Sequence, residues 1–428
     1  MYDVPEKKTE RAILVGLGKE RDIMSEPDSS DNLEELRLLT DTAGAHVVGT
    51  VIQPHHDITP TYYIGKGKVS ELKVEVERLH ANMVIFDNDL SPAQLSNLEK
   101  LLTVKVIDRS GLILDIFALR ARTREAKTQV ELAQLKYLLP RLARRWTHLS
   151  RQEGGIGMRG PGETQLEVDR RRIRQRISHL SDVIAKIEKR RKTGSKRRQS
   201  CFKAALVGYT NAGKSTLLNA LSGAGVPVEN KLFKTLDSVT RLIRYDSAPE
   251  MLISDTVGFI RDLTHDLIVS FKSTLDEVRE ADMLLHVVDI TNPEWEKQIE
   301  VVNGVLVDLG SFDIETILVF NKIDRLKHPE LMCGLRTQFT NSVFVSGEYG
   351  HGIDVLKEIL IKSVMKSRVT LTKKFSPEEG YMIGEIYRYG TVQETRMNED
   401  SVELTFTIPV VIAEKFKLLE RAEKSNNS

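Results

Sequence analysis

The chain has little cysteine and no long apolar run. Its two cysteines, Cys201 and Cys333, are too few for a disulfide framework, and we expect each to be a small buried side chain. No apolar run reaches the length of a membrane span, and residues 1–8 do not resemble an export signal. These absences exclude a disulfide-rich secreted domain and favour a cytoplasmic protein.

Net charge is also small, but it is unevenly distributed. The whole chain of 428 residues carries +1, yet segment 120–198 holds 23 Lys/Arg against 8 Asp/Glu. The remaining residues hold 39 Lys/Arg against 53 Asp/Glu. One basic module inside an acidic protein indicates a polyanionic partner and says little about the fold.

Residues 12–118 alternate short apolar runs with amphipathic segments. The β-α-β-α order predicts a small parallel α/β domain over 1–118. The predicted strands are 12–17, 47–52, 83–86 and 104–107, and the predicted helices are 33–43, 67–80 and 91–102.

Two short stretches of this region leave alternatives open. Ile64-Gly-Lys-Gly-Lys68 precedes a predicted helix, so it is either a phosphate contact or an ordinary turn into that helix. His55-His56-Asp57 has no further metal ligand at a useful spacing, which favours a surface loop over a metal site.

Two long helical patterns follow, at 110–152 and 163–192, and predict an antiparallel helical hairpin over 119–198. The segment between them, 154–162, contains five glycines and one proline, so we expect a pliable non-helical tip. Arginines crowd both arms. They form either a solvated charged face or an RNA-binding surface, since guanidinium groups bind phosphates and stack on bases. The candidate RNA contacts are Arg151, Met158, Arg159, Arg170, Arg171 and Arg172.

A phosphate-binding motif lies at 208–215, where GYTNAGKS matches G-x-x-x-x-G-K-[ST]. An apolar run precedes it and a helical pattern follows it, as this motif requires. The backbone N–H groups of such a loop cradle phosphates, Lys214 would contact the β- and γ-phosphates, and the Ser215 hydroxyl would face Mg²⁺.

Further nucleotide motifs follow in order along the chain. Asp255-Thr-Val-Gly258 matches D-x-x-G, and Asn321-Lys-Ile-Asp324 matches N-K-x-D. The Asp324 carboxylate can accept two hydrogen bonds from guanine that adenine does not offer, which selects GTP. Val343-Phe-Val-Ser346 closes the base pocket. These motifs predict a doubly wound P-loop GTPase domain over 199–367 with its ligand at the carboxyl edge of the sheet.

The motifs define the expected site. Residues expected to bind GTP or GDP are Gly208, Tyr209, Thr210, Asn211, Ala212, Gly213, Lys214, Ser215, Thr216, Phe233, Thr235, Asp255, Thr256, Val257, Gly258, Asn321, Lys322, Asp324, Ser346 and Gly347. The expected Mg²⁺ ligands are Ser215, Thr235 and, through water, Asp255. The residues expected to act in hydrolysis are Lys214, Thr235, Gly258 and Asn211.

Two positions refine the expected chemistry. Phe259 follows the D-x-x-G motif, where a glutamine could have oriented the attacking water, so we expect slow intrinsic hydrolysis that a partner stimulates. The Asn211 carbonyl either helps to hold a monovalent cation, K⁺, beside the phosphates or only caps the loop.

The last region, 368–428, predicts a small α+β domain with a disordered tail at 425–428. Residues 402–408 alternate as a half-buried strand, and 383–386 is expected to pair with it. The fold class predicted for the whole chain is therefore α/β and multidomain.

The chain resembles the HflX family of ribosome-associated GTPases. Besides the phosphate loop, the resemblance rests on the motifs IGKGK (64–68), LSPAQ (90–94), VIDR (106–109), QVELA (129–133), SRQEGG (150–155) and RGPGE (159–163). One departure is Ser346-Gly347, where the family usually has Ser-Ala; because that contact is mainly through backbone, we expect a modest effect on affinity.

The resemblance implies partners and a role. It implies binding to the 50S ribosomal subunit and its rRNA, action on the 70S ribosome, hydrolysis stimulated by the ribosome, and the splitting or rescue of stalled or idle ribosomes, often under stress. A cytoplasmic, ribosome-associated monomer is expected, with peripheral membrane association left open. It also implies ATP binding or hydrolysis by the N-terminal domain, which the residues do not support by themselves.

The sequence also allows two competing hypotheses. One is an RNA-remodelling protein that uses ATP at the N-terminal domain, with GTP as a regulator. The other is a regulatory switch that binds a protein partner through the hairpin.

Overall fold

The computed structural model describes residues 10–18, 31–54, 58–145, 161–194, 201–223, 233, 238–245, 248–261, 272–326, 330–398 and 401–419. The chain divides into two compact units, which are taken in turn. The first contains Met1–Glu188, Glu229–Asp237 and Val257–Leu275, and the second contains Lys189–Val228, Ser238–Thr256 and Asp276–Ser428. The four-domain division expected from the sequence stays a prediction.

The first unit is built on a four-stranded parallel sheet of order β2-β1-β3-β4, as the sequence predicts. Apolar residues such as Val15 and Phe86 lie opposite each other in the register and are buried in its core. Its elements are β1 (Arg11–Gly18), α1 (Asp31–Ala43), β2 (His46–Pro54), α2 (Lys66–Arg78), β3 (Met83–Phe86), α3 (Pro92–Leu102), β4 (Lys105–Ile107), α4 (Arg109–Arg120), α5 (Arg124–Arg145) and α6 (Pro161–Gly194, which ends in the second unit).

Local sequence explains where these helices begin. Ser91 caps α3 in a capping box: its hydroxyl accepts from the Gln94 N–H at 3.2 Å, and the Gln94 side chain accepts from the Ser91 N–H at 2.9 Å. Pro92 occupies the first helical position, where its missing N–H costs nothing. Asp108 caps α4 by accepting from the Gly111 N–H at 2.9 Å.

The long helices differ from prediction in two places. The pattern at 110–152 predicts one helix, but the extended conformation of Ala121 separates α4 from α5. The expected non-helical tip at 154–162 is wrong at Pro161 and Gly162, which lie in the first turn of α6, where proline is tolerated. The Arg176 guanidinium on α6 donates to Glu131 on α5 at 2.7 Å.

The second unit contains a six-stranded sheet of order β10-β9-β8-β5-β7-β6, in which only β6 is antiparallel. The predicted doubly wound arrangement is confirmed. Its elements are β5 (Phe202–Gly208), α7 (Lys214–Ser222), β6 (Val239–Tyr245), β7 (Ala248–Asp255), α8 (Lys272–Arg279, which begins in the first unit), β8 (Met283–Asp289), α9 (Trp295–Asp308), β9 (Thr316–Asn321), α10 (Leu331–Gln338), β10 (Ser342–Phe344) and α11 (Ile353–Lys366).

A three-stranded antiparallel sheet of order β11-β13-β12 completes this unit and confirms the α+β prediction. The expected strand at 383–386 is wrong, because these residues lie in a helix whose buried positions include Ile386. Ser376 and Pro377 begin a helical turn with a capping box just before it. The elements are β11 (Arg368–Phe375), α12 (Gly380–Tyr389), β12 (Thr391–Asn398), β13 (Ser401–Pro409) and α13 (Val410–Lys415).

Several minor expectations are settled or fall outside the described residues. Cys201 is partly buried and Cys333 is exposed, so the expectation that both are buried is wrong. Residues 55–57 and 425–428 are outside the described residues. In the described part of the chain, no helix is both long and apolar enough to cross a membrane.

Candidate nucleotide site

The phosphate loop joins β5 to α7 and requires glycine at two positions. Gly208 has φ +149°, and a Cβ on it would lie 2.2 Å from the Val287 carbonyl oxygen. Gly213 has φ +94°, and its Cβ would lie 2.2 Å from the Asn321 side-chain nitrogen. Both contacts are impossible for a larger residue, so the loop conformation depends on these glycines.

Lys214 begins α7, and its ammonium group lies within the loop. It donates to the carbonyl oxygens of Gly208 at 2.9 Å and Tyr209 at 2.7 Å. Burial lowers the pKa of Lys214 to about 8, and the Asp255 carboxylate opposes that shift. A phosphate would therefore find a desolvated cation whose present partners are neutral carbonyls.

Ser215 and Asp255 are brought together at the start of α7 and the end of β7. The Ser215 hydroxyl donates to the Asp255 carboxylate at 2.6 Å, and Asp255 is 1% exposed. A hydroxyl and a carboxylate are hard oxygen ligands that fit Mg²⁺. Thr235, the third expected ligand, lies outside the described residues.

Asn321 links the base-recognition motif to the phosphate loop. Its amide nitrogen donates to the Ala212 carbonyl at 2.9 Å, and its amide oxygen accepts from the Gly347 N–H at 2.9 Å. One side chain, at the carboxyl end of β9, thus fixes two loops on either side of it. A Cβ on Gly347 would lie only 3.3 Å from the Leu217 backbone nitrogen, so the Ser-Gly departure relieves a close contact.

Contacts with nearby side chains and backbone fix the other residues of the base-recognition motifs. The Lys322 ammonium pairs with Asp289 at 2.6 Å, and Lys322 adopts a left-handed conformation with φ +65°. Asp324 lies in a single helical turn, Ile323–Arg325, with the Arg325 guanidinium 3.7 Å away. Ser346 is fully buried, and its hydroxyl accepts from the Tyr349 N–H at 3.2 Å.

Three threonines and Asn211 complete the described part of the phosphate loop and the D-x-x-G motif. The buried Thr256 hydroxyl donates to the Leu206 carbonyl at 2.6 Å, which ties β7 to β5. Thr210 is buried, and among the described residues its hydroxyl has no hydrogen-bond partner. Asn211 is exposed with φ +62°, and Thr216 is partly buried in α7.

Val257, Gly258, Phe259 and Phe233 belong to the first compact unit. Phe259 is 2% exposed, so the side chain at the position of the missing glutamine is enclosed. Phe233 is 3% exposed and packs edge-on against Phe117 of α4 at 4.8 Å between ring centroids. Its expected contact with nucleotide stays a prediction.

Sequence reasoning missed three polar residues of this region. His286 on β8 is 2% exposed, and burial and the Lys214 charge lower its pKa to about 4, so it is neutral at ordinary pH. Asp289 ends the same strand and pairs with Lys322. The sequence signal for it is an acidic residue directly after an apolar run, which marks the carboxyl end of a buried strand. Arg261 contacts Asp87, far away in the sequence, and no local signal points to that pair.

The candidate RNA contacts are described only on one arm of the hairpin. Arg171 and Arg172 are exposed on α6, and Arg170 is partly buried. Arg151, Met158 and Arg159 lie outside the described residues.

Comparison with known proteins matches the chain along its length. Residues 30–118 match the family described as "GTP-binding GTPase N-terminal", 120–198 match "GTP-binding GTPase Middle Region", and 203–322 match "50S ribosome-binding GTPase". The GTPase HflX of Caldanaerobacter subterraneus is 44% identical over 410 residues, which are 95% of this chain and 93% of that protein. The chain belongs to the GTPase HflX family.

A second curated relative agrees with this membership, and one solved structure is similar over most of its length. The GTPase HflX of Escherichia coli K12 is 43% identical to this HflX-family chain over 94% of each protein. The crystal structure of a GTP-binding protein from Sulfolobus solfataricus in complex with GDP covers 84% of this chain and 99% of its own, at 23% identity and a TM-score of 0.44.

Proposed function

We propose that the protein is a GTP-hydrolysing factor that binds the 50S ribosomal subunit and splits or rescues stalled or idle ribosomes, with hydrolysis stimulated by the ribosome. The observation that carries the proposal is the pair of hydrogen bonds that joins the Asn321 side chain to the Ala212 carbonyl and the Gly347 N–H, which we name the Asn321 brace. This brace holds a guanine-selective motif against the phosphate loop. The match of residues 203–322 to a "50S ribosome-binding GTPase" family supports the choice of partner.

The chain's own residues have distinct roles in this proposal. The loop N–H groups and Lys214 bind the phosphates, and Lys214 exchanges its carbonyl partners for phosphate oxygens. Asp324 accepts from guanine, and the Gly258 N–H binds the γ-phosphate. Ser215 and Thr235 would hold Mg²⁺, with Asp255 bonded through water, and the ion would neutralise charge on the phosphates.

Stimulation by a partner follows from the residue at 259. The enclosed Phe259 side chain has no polar group with which to orient a water molecule. The missing stabilisation of the transition state, several kcal/mol in a stimulated GTPase, must come from elsewhere. We propose the ribosome as its source, and a K⁺ ion held by the Asn211 carbonyl as a second contributor.

Contact with rRNA is proposed for the basic helices. Arg171 and Arg172 are exposed on α6. They belong to segment 120–198, which is strongly positive although the whole chain has a net charge of only +1. Phosphate groups attract such a surface regardless of sequence. Monomeric state and action on whole 70S particles are part of the same proposal.

The test compares GTP turnover alone, with 50S subunits and with 70S ribosomes, each in K⁺ and in Na⁺. We expect 50S subunits to raise turnover at least tenfold, because the lone site lacks a water-orienting group. Protein loaded with a non-hydrolysable GTP analogue should sediment with 50S subunits, and GDP should weaken this. Lys214→Ala is the control for nucleotide-independent binding. Unchanged turnover in the presence of 50S subunits would refute ribosome stimulation.

A further inference from the structure

A cavity of about 330 Å³ lies in the first unit, beside the edge strand β4. Residues of helices α3, α4 and α5 form its other walls. The lining is mainly apolar and includes Pro92, Leu95, Val106, Ile107, Gly111, Leu114, Leu138 and Leu142. Ligand pockets of proteins begin at about this volume, and they combine such a lining with a few polar groups that orient the ligand. The cavity therefore has the size and the surface of a site for a small organic molecule.

Two polar side chains of the lining, both on α5, share one buried carboxylate. The Tyr137 hydroxyl donates to one oxygen of Asp108 at 2.6 Å, and the Arg141 guanidinium pairs with the other oxygen at 2.8 Å. The same guanidinium covers the Tyr137 ring, 3.5 Å from its centroid. These contacts order both side chains and neutralise the arginine charge. A negatively charged ligand would therefore gain little from Arg141.

A second carboxylate of the lining, Asp115 on α4, has no such partners. In the part of the chain that the structure describes, its side chain makes no hydrogen bond and no ion pair. Burial raises the pKa of Asp115, and the charge of the exposed Lys105 opposes that shift without an ion-pair contact, whereas Glu10 adds to it. Glu99 on α3 lines the same cavity and adds negative charge. A desolvated carboxylate without a partner is unfavourable, so a cation that reaches Asp115 would relieve this cost.

We propose that the cavity binds a small organic cation, in which an ammonium group is attached to an apolar or aromatic body, with Asp115 as the counter-ion. The ammonium group would donate charge-assisted hydrogen bonds to the Asp115 carboxylate. The body would lie against Leu95 of α3, Leu114 of α4 and Leu138 of α5. None of the lining residues belongs to a nucleotide motif, so this site is additional to the proposed function.

Three indole probes of similar shape test the charge that the cavity selects. Tryptamine carries an ammonium group, tryptophol a hydroxyl and indole-3-acetate a carboxylate. We expect the full chain to bind tryptamine with a dissociation constant of about 1 mM or below, as suits so small a ligand. Tryptophol should bind at least tenfold more weakly, and indole-3-acetate more weakly still. Saturation-transfer NMR measures binding of each probe to the protein.

ATP provides a competitor of opposite charge. Its phosphates would face the carboxylates of Asp115 and Glu99, and like charges repel at short distance. Addition of ATP should therefore leave the tryptamine signal unchanged. Displacement of tryptamine by ATP would show that the cavity accepts a polyanion and would overturn the proposed ligand class.

Two variants and a matched control locate the binding. Asp115→Asn keeps the shape of the side chain and removes its charge, so tryptamine should bind at least tenfold more weakly while tryptophol binding changes little. Leu138→Trp enlarges a side chain that is 43% exposed at the cavity wall, and it should weaken binding of all three probes. Glu71→Gln removes an exposed carboxylate of α2 outside the cavity and should change no affinity. Melting temperatures close to that of the wild type confirm that each variant is folded.

Every other result counts against the inference. Absence of saturation transfer to tryptamine would overturn the site, and equal affinity for tryptamine and indole-3-acetate would overturn its preference for cations. Wild-type tryptamine affinity in folded Asp115→Asn would exclude this carboxylate as the counter-ion. Unchanged binding in folded Leu138→Trp, or an equal loss in Glu71→Gln, would place the probes outside the cavity.

Discussion

Lys214 shows how the burial of a single side chain prepares a charge for its ligand. Its ammonium is enclosed by the phosphate loop, and burial lowers its pKa to about 8, so part of the population is neutral in weakly alkaline solution. Triphosphate oxygens would favour the charged form and raise the pKa again.

This gives a pH dependence whose sign is fixed. Above pH 8 the free protein has lost the Lys214 proton that the complex needs, so binding takes up a proton and affinity falls. We expect GTP affinity to drop about tenfold between pH 7 and pH 9. Titration calorimetry in two buffers of different ionisation enthalpy measures both affinity and proton uptake. Lys214→Met should bind weakly and without this slope, and a flat wild-type profile would contradict the assignment.

At the scale of single elements, α6 carries three neighbouring arginines, of which two are exposed and one is partly buried. Arg170, Arg171 and Arg172 are consecutive, so they point in different directions around the helix and present charge over a broad surface. Such a surface suits a phosphate backbone better than one pocket on a protein partner.

Reversal of these charges tests the RNA interpretation. Replacing the three arginines by glutamate should weaken 50S binding at least tenfold at low salt and reduce the salt dependence of binding by about three ions. A matched variant with glutamate at the exposed Arg244, Arg388 and Arg396 has the same net charge. Equal losses in both variants would indicate a general charge effect, and binding retained by the first would favour a protein partner.

The helices and strands were predictable where periodicity and caps agree. Ser91-Pro92 marks the start of α3, and the four apolar runs give the parallel sheet. The strand prediction at 383–386 is wrong because a four-residue segment with an isoleucine at each end does not distinguish a strand from one helix turn. The capping box at Ser376 was the signal that could have decided it.

The sequence predicts which residues belong to the nucleotide site, but it does not predict the contacts between their side chains. Each motif marks the end of a strand, so its place in the fold follows from the sequence. The Asn321 brace and the Arg261–Asp87 pair join residues more than 100 positions apart, and neither changes any local pattern. Such long-range contacts can be identified only once the fold is known.

At the scale of the whole molecule, the sheets have separate hydrophobic cores. The four-stranded, six-stranded and three-stranded sheets each bury their own cluster of apolar side chains. The nucleotide loop and the base-recognition motif both belong to the six-stranded sheet, so a ligand there stabilises one core directly.

Heat should therefore unfold the protein in more than one transition. GDP at 100 times its dissociation constant should stabilise the six-stranded sheet by about 2.7 kcal/mol and leave the four-stranded sheet unstabilised. Scanning calorimetry with and without GDP shows the shift, and hydrogen exchange of β5 against β1 assigns it. Equal protection of both strands would mean that the cores unfold together.

The Asn321 brace has a consequence for partial ligands. Because one amide holds both the phosphate loop and the Gly347 loop, ordering either loop lowers the entropy cost of ordering the other. Guanosine and pyrophosphate, offered as separate fragments, should each make the other bind more tightly, although no covalent bond joins them. The base and the phosphates would then bind cooperatively, because a single side chain connects the two loops that contact them.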